Sequence, residues 1–302
     1  MKTDRLKGSI VPLVTPFTSK GELDEKAFRE LIEWQIVCGS NGIAVTGSTG
    51  EPGSLSFEEK KQIYRLAVDT ASRRIPVVAG TGTNNLEETV RLSKTAEEEG
   101  VDALLVLVPY YSKPNQAGIH DYFDKVARST ELPMIIYNIP GRTAANIEPS
   151  TLARLREELN NIVGVKEANR DLDQMSLDIA SCGEDFLVYS GIESYCFPLL
   201  AIGGAGYFSA TADILPSQLA MLYRLCKEER WKEARELHFR MLPINEALFW
   251  ETNPVPVKTA LGMMGKITPK VRLPLTPLDE VKKQKLRSVM LDYGLLGGDA
   301  GR

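Results

Sequence analysis

Histidine is almost missing from this chain: His120 and His238 are the only two in 302 residues. Each falls inside a helical pattern with no partner at metal-ligand spacing, so chemistry built on an imidazole base or a zinc ligand set is disfavoured. The four cysteines, Cys38, Cys182, Cys196 and Cys226, stand far apart without a Cys-x-x-Cys pair. That spacing speaks against a zinc ribbon or a thioredoxin-like motif and leaves inert thiols. Nowhere do about 18 apolar residues run together, so no segment is built to cross a membrane, and the stretch Met1 to Lys7 lacks the apolar core of a signal peptide. Neither sign of charge forms a block: 36 Lys and Arg stand against 40 Asp and Glu, which argues against nucleic acid as a partner. A soluble, cytoplasmic protein is expected.

What is present is a regular alternation. Short runs rich in Val and Ile alternate with longer segments whose apolar residues recur every three or four positions, the βαβα pattern of a parallel sheet. The strand candidates are Ser9–Val14, Gly42–Thr46, Pro76–Ala79, Ala103–Val108, Met134–Tyr137, Ile162–Lys166, Phe186–Ser190 and Gly206–Ser209. Between them, Asp24 can cap the first helix, Ser56 with Glu59 makes a capping box, and a third helix starts near Asn85 and stops at Gly100. After about Ser217 the strands end, and Ala220–Lys227, Lys232–Phe249, Val255–Met264 and Leu278–Tyr293 read as helices. A chain of this length fits one (β/α)8 TIM barrel, the α/β fold that reaches about 250 residues as a single unit. The expected division is a catalytic barrel over 1–224 and a small all-helical extension over 225–302, although a doubly wound sheet also satisfies the alternation.

In such a barrel the chemistry sits where each strand breaks. Four breaks are unusual: Thr46-Gly47-Ser48-Thr49-Gly50-Glu51, Pro109-Tyr110-Tyr111, Tyr137-Asn138-Ile139-Pro140-Gly141-Arg142-Thr143, and Gly164-Val165-Lys166-Glu167. Burial disfavours the charged form of an amine, and a neutral amine such as that of Lys166 attacks a ketone to give an iminium, an electron sink for the neighbouring carbon. The plain alternative is a lysine paired with a carboxylate such as Glu167. Tyr137 precedes Lys166 by about one βα unit, so the two belong on adjacent strands, where a phenol can carry protons; it can equally be an amphipathic plug. Gly47-Ser48-Thr49-Gly50 offers hydroxyls and backbone N–H groups to a small carboxylate, or is a tight turn whose hydroxyls cap the backbone. Gly80-Thr81-Gly82 lacks the third glycine of a dinucleotide fingerprint, and Ser48 lacks the frame of a hydrolase nucleophile.

These signatures, in this order and spacing and over nearly the whole chain, resemble the dihydrodipicolinate synthase / N-acetylneuraminate lyase family of class I pyruvate aldolases and lyases. The resemblance implies that Lys166 forms a Schiff base with pyruvate and that Tyr137, Ser48 and Tyr111 form a proton relay, Tyr111 being lent by a neighbouring subunit. It implies further that Thr49, with Gly50 and Phe208 beside it, holds pyruvate, and that Arg142 binds the carboxylate of aspartate semialdehyde, a task its planar fork suits. A surface ion pair is the other use open to Arg142. A homotetramer arranged as a dimer of dimers, with no metal and no cofactor beyond covalently bound pyruvate, is also implied.

Pro109-Tyr110-Tyr111 and Pro140-Gly141-Arg142-Thr143 look like the family's synthase branch. Ser48, Ile192-Glu193 and Tyr207-Phe208 depart from it near the second-substrate end, so a pyruvate aldolase or dehydratase acting on a sugar acid is the alternative within catalysis. A small-acid binding barrel without turnover is the alternative outside it. Asn84, Glu88 and Tyr110 match the family's allosteric pocket, yet Phe57 and Lys60 stand where lysine-inhibited members carry histidines, and a cation at Lys60 repels an incoming ammonium. Asn253-Pro254-Val255-Pro256-Val257-Lys258 also looks like a family segment and reads as structural.

Overall fold

The computed structural model describes residues 3–297. Eight parallel strands close into one barrel in chain order: β1 Gly8–Pro12, β2 Gly42–Val45, β3 Val77–Gly80, β4 Ala103–Leu107, β5 Met134–Asn138, β6 Ile162–Glu167, β7 Leu187–Ser190 and β8 Gly206–Phe208. All eight expected strands form, within two residues at each end. Closure follows from β1 pairing with both β2 and β8, Gly8 lying opposite Gly206. The doubly wound alternative is thereby removed.

The helices that cover the barrel are α1 Glu25–Val37, α2 Phe57–Ala71, α3 Leu86–Glu98, α4 Gln116–Ala127, the short α5 Pro140–Thr143, α6 Pro149–Glu158, α7 Leu172–Cys182, the short α8 Cys196–Ala201 and α9 Pro216–Lys227. Their starts are written in hydrogen bonds. Asp24 accepts from the Ala27 N–H at 3.0 Å, Ser56 and Glu59 close a reciprocal capping box, and Asn85 accepts from Glu88. Helix α9 begins four residues before the expected Ala220, because Pro216 occupies the first turn, where its missing N–H costs nothing. The chain then continues as α10 Trp231–Ala247, α11 Val255–Met263 and α12 Glu280–Asp292. No described helix is long and apolar enough to cross a membrane.

Side chains alternate along each strand, so one set fills the barrel and the other meets the helices. Ile10, Ala44, Val78, Leu105, Ile135 and Leu187 pack in the interior, whereas Val11, Ile43, Val77, Val106, Ile136 and Val188 join the larger core under the helices. The β5–β6 register slips by one residue between Met134 and Ile135 and then holds, with Tyr137 opposite Lys166 and Asn138 opposite Glu167. Gly164 is obligatory there: a Cβ would stand 2.4 Å from the Leu187 carbonyl oxygen. This irregularity sets which residues of β6 face inward at the C-terminal mouth.

Candidate active site

Lys166 ends β6 facing into the barrel, and its register partner Tyr137 ends β5 on the same side. The Lys166 Nζ lies 3.9 Å from the centre of the Tyr137 ring and 5.2 Å from that of Phe208. Lys166 is 5 % exposed, and among the described residues it makes no ion pair. Alternation turns its neighbour Glu167 to the opposite face, so the lysine–glutamate pairing that the sequence left open does not form. The amine stands on the wall of a cavity of about 90 Å³ that Ser48, Thr49, Tyr137, Arg142 and Phe208 also line. The structure therefore gathers the candidates of four separate strand ends around a single nitrogen.

Gly191, one residue beyond β7, is what leaves that nitrogen its room. A Cβ on Gly191 would stand 2.8 Å from Lys166 Cε and 2.9 Å from Ala168 Cβ. The lysine tip can yield, so the expected damage is catalytic. Gly191→Ala should keep the far-ultraviolet circular dichroism of the native chain while kcat/KM falls roughly 10- to 100-fold, the scale of a small misplacement of a reacting group. Unchanged kinetics in that variant would show that Lys166 is not held where the chemistry needs it.

The turn after β2 is shaped by two residues in the left-handed region, Thr46 (φ 53°) and Glu51 (φ 55°). Thr46 donates its hydroxyl to the Gly80 carbonyl at 2.8 Å, and Thr15 donates to that of Gly50. Ser48, Thr49 and Gly50 form one 3-10 turn between these anchors. The Thr49 hydroxyl accepts from Asn253 Nδ2 at 2.9 Å, which leaves its own proton available to a ligand. Asn253, in turn, accepts from Arg142 Nη2 through its carbonyl at 3.2 Å. Arg142 is exposed at the rim and among the described residues forms no ion pair, so the surface-bridge reading finds no partner. Behind the turn, Glu51 and Lys258 make an ion pair at 2.5 Å with side chains 1 % and 0 % exposed. The segment from Asn253 to Lys258, read from sequence as structural, thus reaches the cavity itself, more than 200 positions from the turn it supports.

Sequence reasoning noticed Glu193 only as a departure from the family pattern. The structure places it on the cavity wall, buried, with Oε1 accepting from the Ala210 N–H at 2.9 Å and from the Ser209 hydroxyl at 3.5 Å. Burial pushes its carboxyl up to about 7, against the opposing pull of backbone N–H donors and of the Lys166 charge. Glu167 lies outside the barrel, held by Asn138 Nδ2 at 3.0 Å and Gln174 Nε2 at 3.3 Å. Burial first, and then the charge of Asp178, keep the Glu167 carboxyl well above the usual range, and burial pushes Asp178 up to about 7. Neither Asp178 oxygen has a hydrogen-bond donor. Burial thus favours the protonated form of both carboxyls.

A larger cavity of about 520 Å³ shares Ser48 and Tyr137 with the first and extends to Lys60, Glu88 and Tyr110. Lys60 Nζ stands 3.8 Å from Glu88 Oε1, while Asn84 is exposed and does not line this space. Tyr111 lines neither cavity: it is 87 % exposed, in the left-handed region at φ 72°, and within one chain it is not brought to Ser48 and Tyr137. Gly80 and Gly82 serve packing, since a Cβ on them would meet the Thr46 carbonyl oxygen at 2.5 Å and the Leu107 nitrogen at 2.4 Å.

The family model described as "Dihydrodipicolinate synthetase family" matches residues 5–292. A 4-hydroxy-tetrahydrodipicolinate synthase of Thermodesulfovibrio yellowstonii is 46 % identical over 290 residues, covering 96 % of this chain and 99 % of the relative. A crystal structure of dihydrodipicolinate synthase from Aquifex aeolicus superposes with a TM-score of 0.95 at 41 % identity, covering 97 % of this chain and 100 % of that one. The chloride-inhibited dihydrodipicolinate synthase of Acinetobacter baumannii, solved in complex with pyruvate, superposes with a TM-score of 0.94 at 39 % identity over 96 % of this chain and 99 % of its own.

Proposed function

This chain belongs to the dihydrodipicolinate synthetase family, and on that premise we propose that it condenses pyruvate with L-aspartate 4-semialdehyde to 4-hydroxytetrahydrodipicolinate, a lyase reaction that leads toward diaminopimelate and lysine. The observation that carries the reading is the Lys166 amine, buried and unpaired on the face of Tyr137, in a cavity of about 90 Å³ with Arg142 at its rim. The neutral amine adds to the keto carbon of pyruvate, and the carbinolamine loses its hydroxyl as water to leave an iminium. Loss of a methyl proton gives an enamine, whose carbon attacks the aldehyde. The amino group of the second substrate then adds to the iminium carbon, closes the ring and releases Lys166. The iminium is itself the electron sink, so the sequence of steps calls for no cofactor.

In this reading Tyr137 and Ser48 carry the protons, and Thr49, with the Gly50 backbone, takes the pyruvate carboxylate over a floor made by Phe208. Tyr111 completes the relay from a neighbouring subunit. Its large exposure on a strained backbone supports a homotetramer built from dimers that exchange this residue. Residues 1–224 act as the catalytic barrel and 225–302 as the helical extension, which lends Phe249 and Asn253 to the cavity wall, in the cytoplasm. Lys60 already satisfies Glu88 in the larger cavity, so that pocket is poorly suited to a free lysine ammonium despite Tyr110 and Asn84 nearby.

Arg142 is the residue that selects the second substrate. Losing charge-assisted hydrogen bonds to a carboxylate costs about 1.5–3 kcal/mol. Arg142→Ala should therefore raise the KM for aspartate semialdehyde roughly 10- to 100-fold while the KM for pyruvate stays within about twofold. A steady-state assay varying each substrate in turn reads this directly, and an unaltered aldehyde KM would remove the reason for choosing this substrate.

A further inference from the structure

Glu193 stands between two spaces. On one side is the cavity of about 90 Å³ with Lys166 and Arg142; on the other is a pocket of about 490 Å³ lined by Arg170, Asn245, Glu246 and Trp250. Ile192, Glu193 and Phe249 belong to both walls. A molecule that occupies the outer pocket and reacts at Lys166 thus passes the Glu193 carboxyl. Glu193 is 7 % exposed, and among the described residues its carboxyl has no cation within ion-pairing distance. Its hydrogen bonds come from the Ala210 N–H and the Ser209 hydroxyl. A buried acid without a cationic partner is costly to keep ionised, and a site that retains one has a use for it when occupied.

The charges around it say which partner is missing. Lys166 is committed to the imine and Arg142 to a carboxylate, and the outer pocket adds one cation, Arg170, and a second carboxylate, Glu246. The second substrate carries a carboxylate and an ammonium on the same carbon, and cations satisfy only the first; of the two carboxylates, Glu193 alone also lines the cavity that holds Lys166. We propose that Glu193 receives the α-ammonium of the aldehyde substrate, so that Arg142 and Glu193 together read its amino-acid end. This inference rests on the synthase reading above. It makes the residue after Ile192 a determinant of specificity: an aldehyde acid lacking the amino group leaves Glu193 unpaired and gains nothing from it.

The test compares L-aspartate 4-semialdehyde with succinate semialdehyde, which differs only in lacking the ammonium. Glu193→Gln keeps the acceptor for the Ala210 N–H and removes the charge. The KM for aspartate semialdehyde should rise roughly 30-fold or more, the scale for truncating a desolvated charge pair. The inhibition constant of succinate semialdehyde should stay within about threefold, and Glu193→Asp should recover part of the loss. The groups facing Glu193 are Lys166, Arg142 and Tyr137 in the barrel mouth, Arg170 and Glu246 in the outer pocket, and the Cys196 thiol, which burial keeps protonated. With the Glu193 carboxyl losing its proton near 7, the wild-type KM for aspartate semialdehyde should fall as pH rises through that value, and Glu193→Gln should lose this dependence. An unchanged KM, equal weakening of both aldehydes, or loss of the borohydride-trapped pyruvate adduct would each overturn the assignment. A wild-type enzyme that forms the adduct but consumes no aspartate semialdehyde would instead overturn the synthase reading on which it rests.

Discussion

Lys166→Ala should abolish the covalent pyruvate adduct. Incubated with pyruvate and borohydride, the wild-type chain gains the mass of one reduced pyruvyl group, and peptide mapping places it on Lys166; the variant gains none. Turnover should fall by at least about 10⁴-fold, the scale on which loss of a covalent nucleophile acts. The surroundings explain why no other lysine substitutes. Lys258 is tied to Glu51 at 2.5 Å and wholly enclosed, and Lys60 faces Glu88 in the other cavity. Lys166→Arg should fail equally, because a guanidinium stays protonated and cannot add to a ketone. A variant without Lys166 that still traps pyruvate at the wild-type rate would disprove the Schiff-base mechanism for this chain.

The barrel was legible because its strands are buried on both faces and read as short Val- and Ile-rich runs. Lys166 and Tyr137 were legible for a related reason: a polar side chain that ends such a run has only the mouth to enter. What escaped were contacts with no local signature. Glu193 belongs to a three-residue 3-10 turn after β7, too short to carry any periodicity. Asn253 reaches Thr49 across 204 positions, and only the closed fold brings them together. Which of Lys166 and Glu167 faces inward depends on the register slip at Met134, which no pattern of hydrophobicity marks. The family resemblance assigned Tyr111 to the relay, but within one chain it stands on an exposed loop away from Ser48 and Tyr137.

Lys258→Met should be the most destabilising single substitution at the site. It leaves the Glu51 carboxylate, on a side chain 1 % exposed, with the Arg272 backbone N–H at 3.1 Å and no cation in contact. Breaking a buried pair from one side costs about 3–5 kcal/mol, which for a chain of this size lowers Tm by roughly 5–8 °C. Removing both charges is a different experiment. Burial pushes Lys258 down to about 8 although Glu51 pulls it upward, so desolvation outweighs the attraction at this amine. Between about 8 and the ordinary 10.5 the unfolded chain binds the extra proton, and this group makes stability rise with pH across that window. The double variant Glu51→Gln with Lys258→Met should consequently recover most of the lost Tm, giving a large coupling in a double-mutant cycle. Its activity should not recover in step. Glu51 sits at φ 55° directly after the Ser48–Gly50 turn, and with the pair gone that turn loses the anchor that aims Thr49, so the KM for pyruvate should remain raised. Calorimetry on the wild type, Glu51→Gln, Lys258→Met and the double variant, with the pyruvate KM of each, separates the two effects: a double variant as unstable as Lys258→Met would show that the pair stabilises by attraction, and one with wild-type KM would show that the turn holds its shape without it.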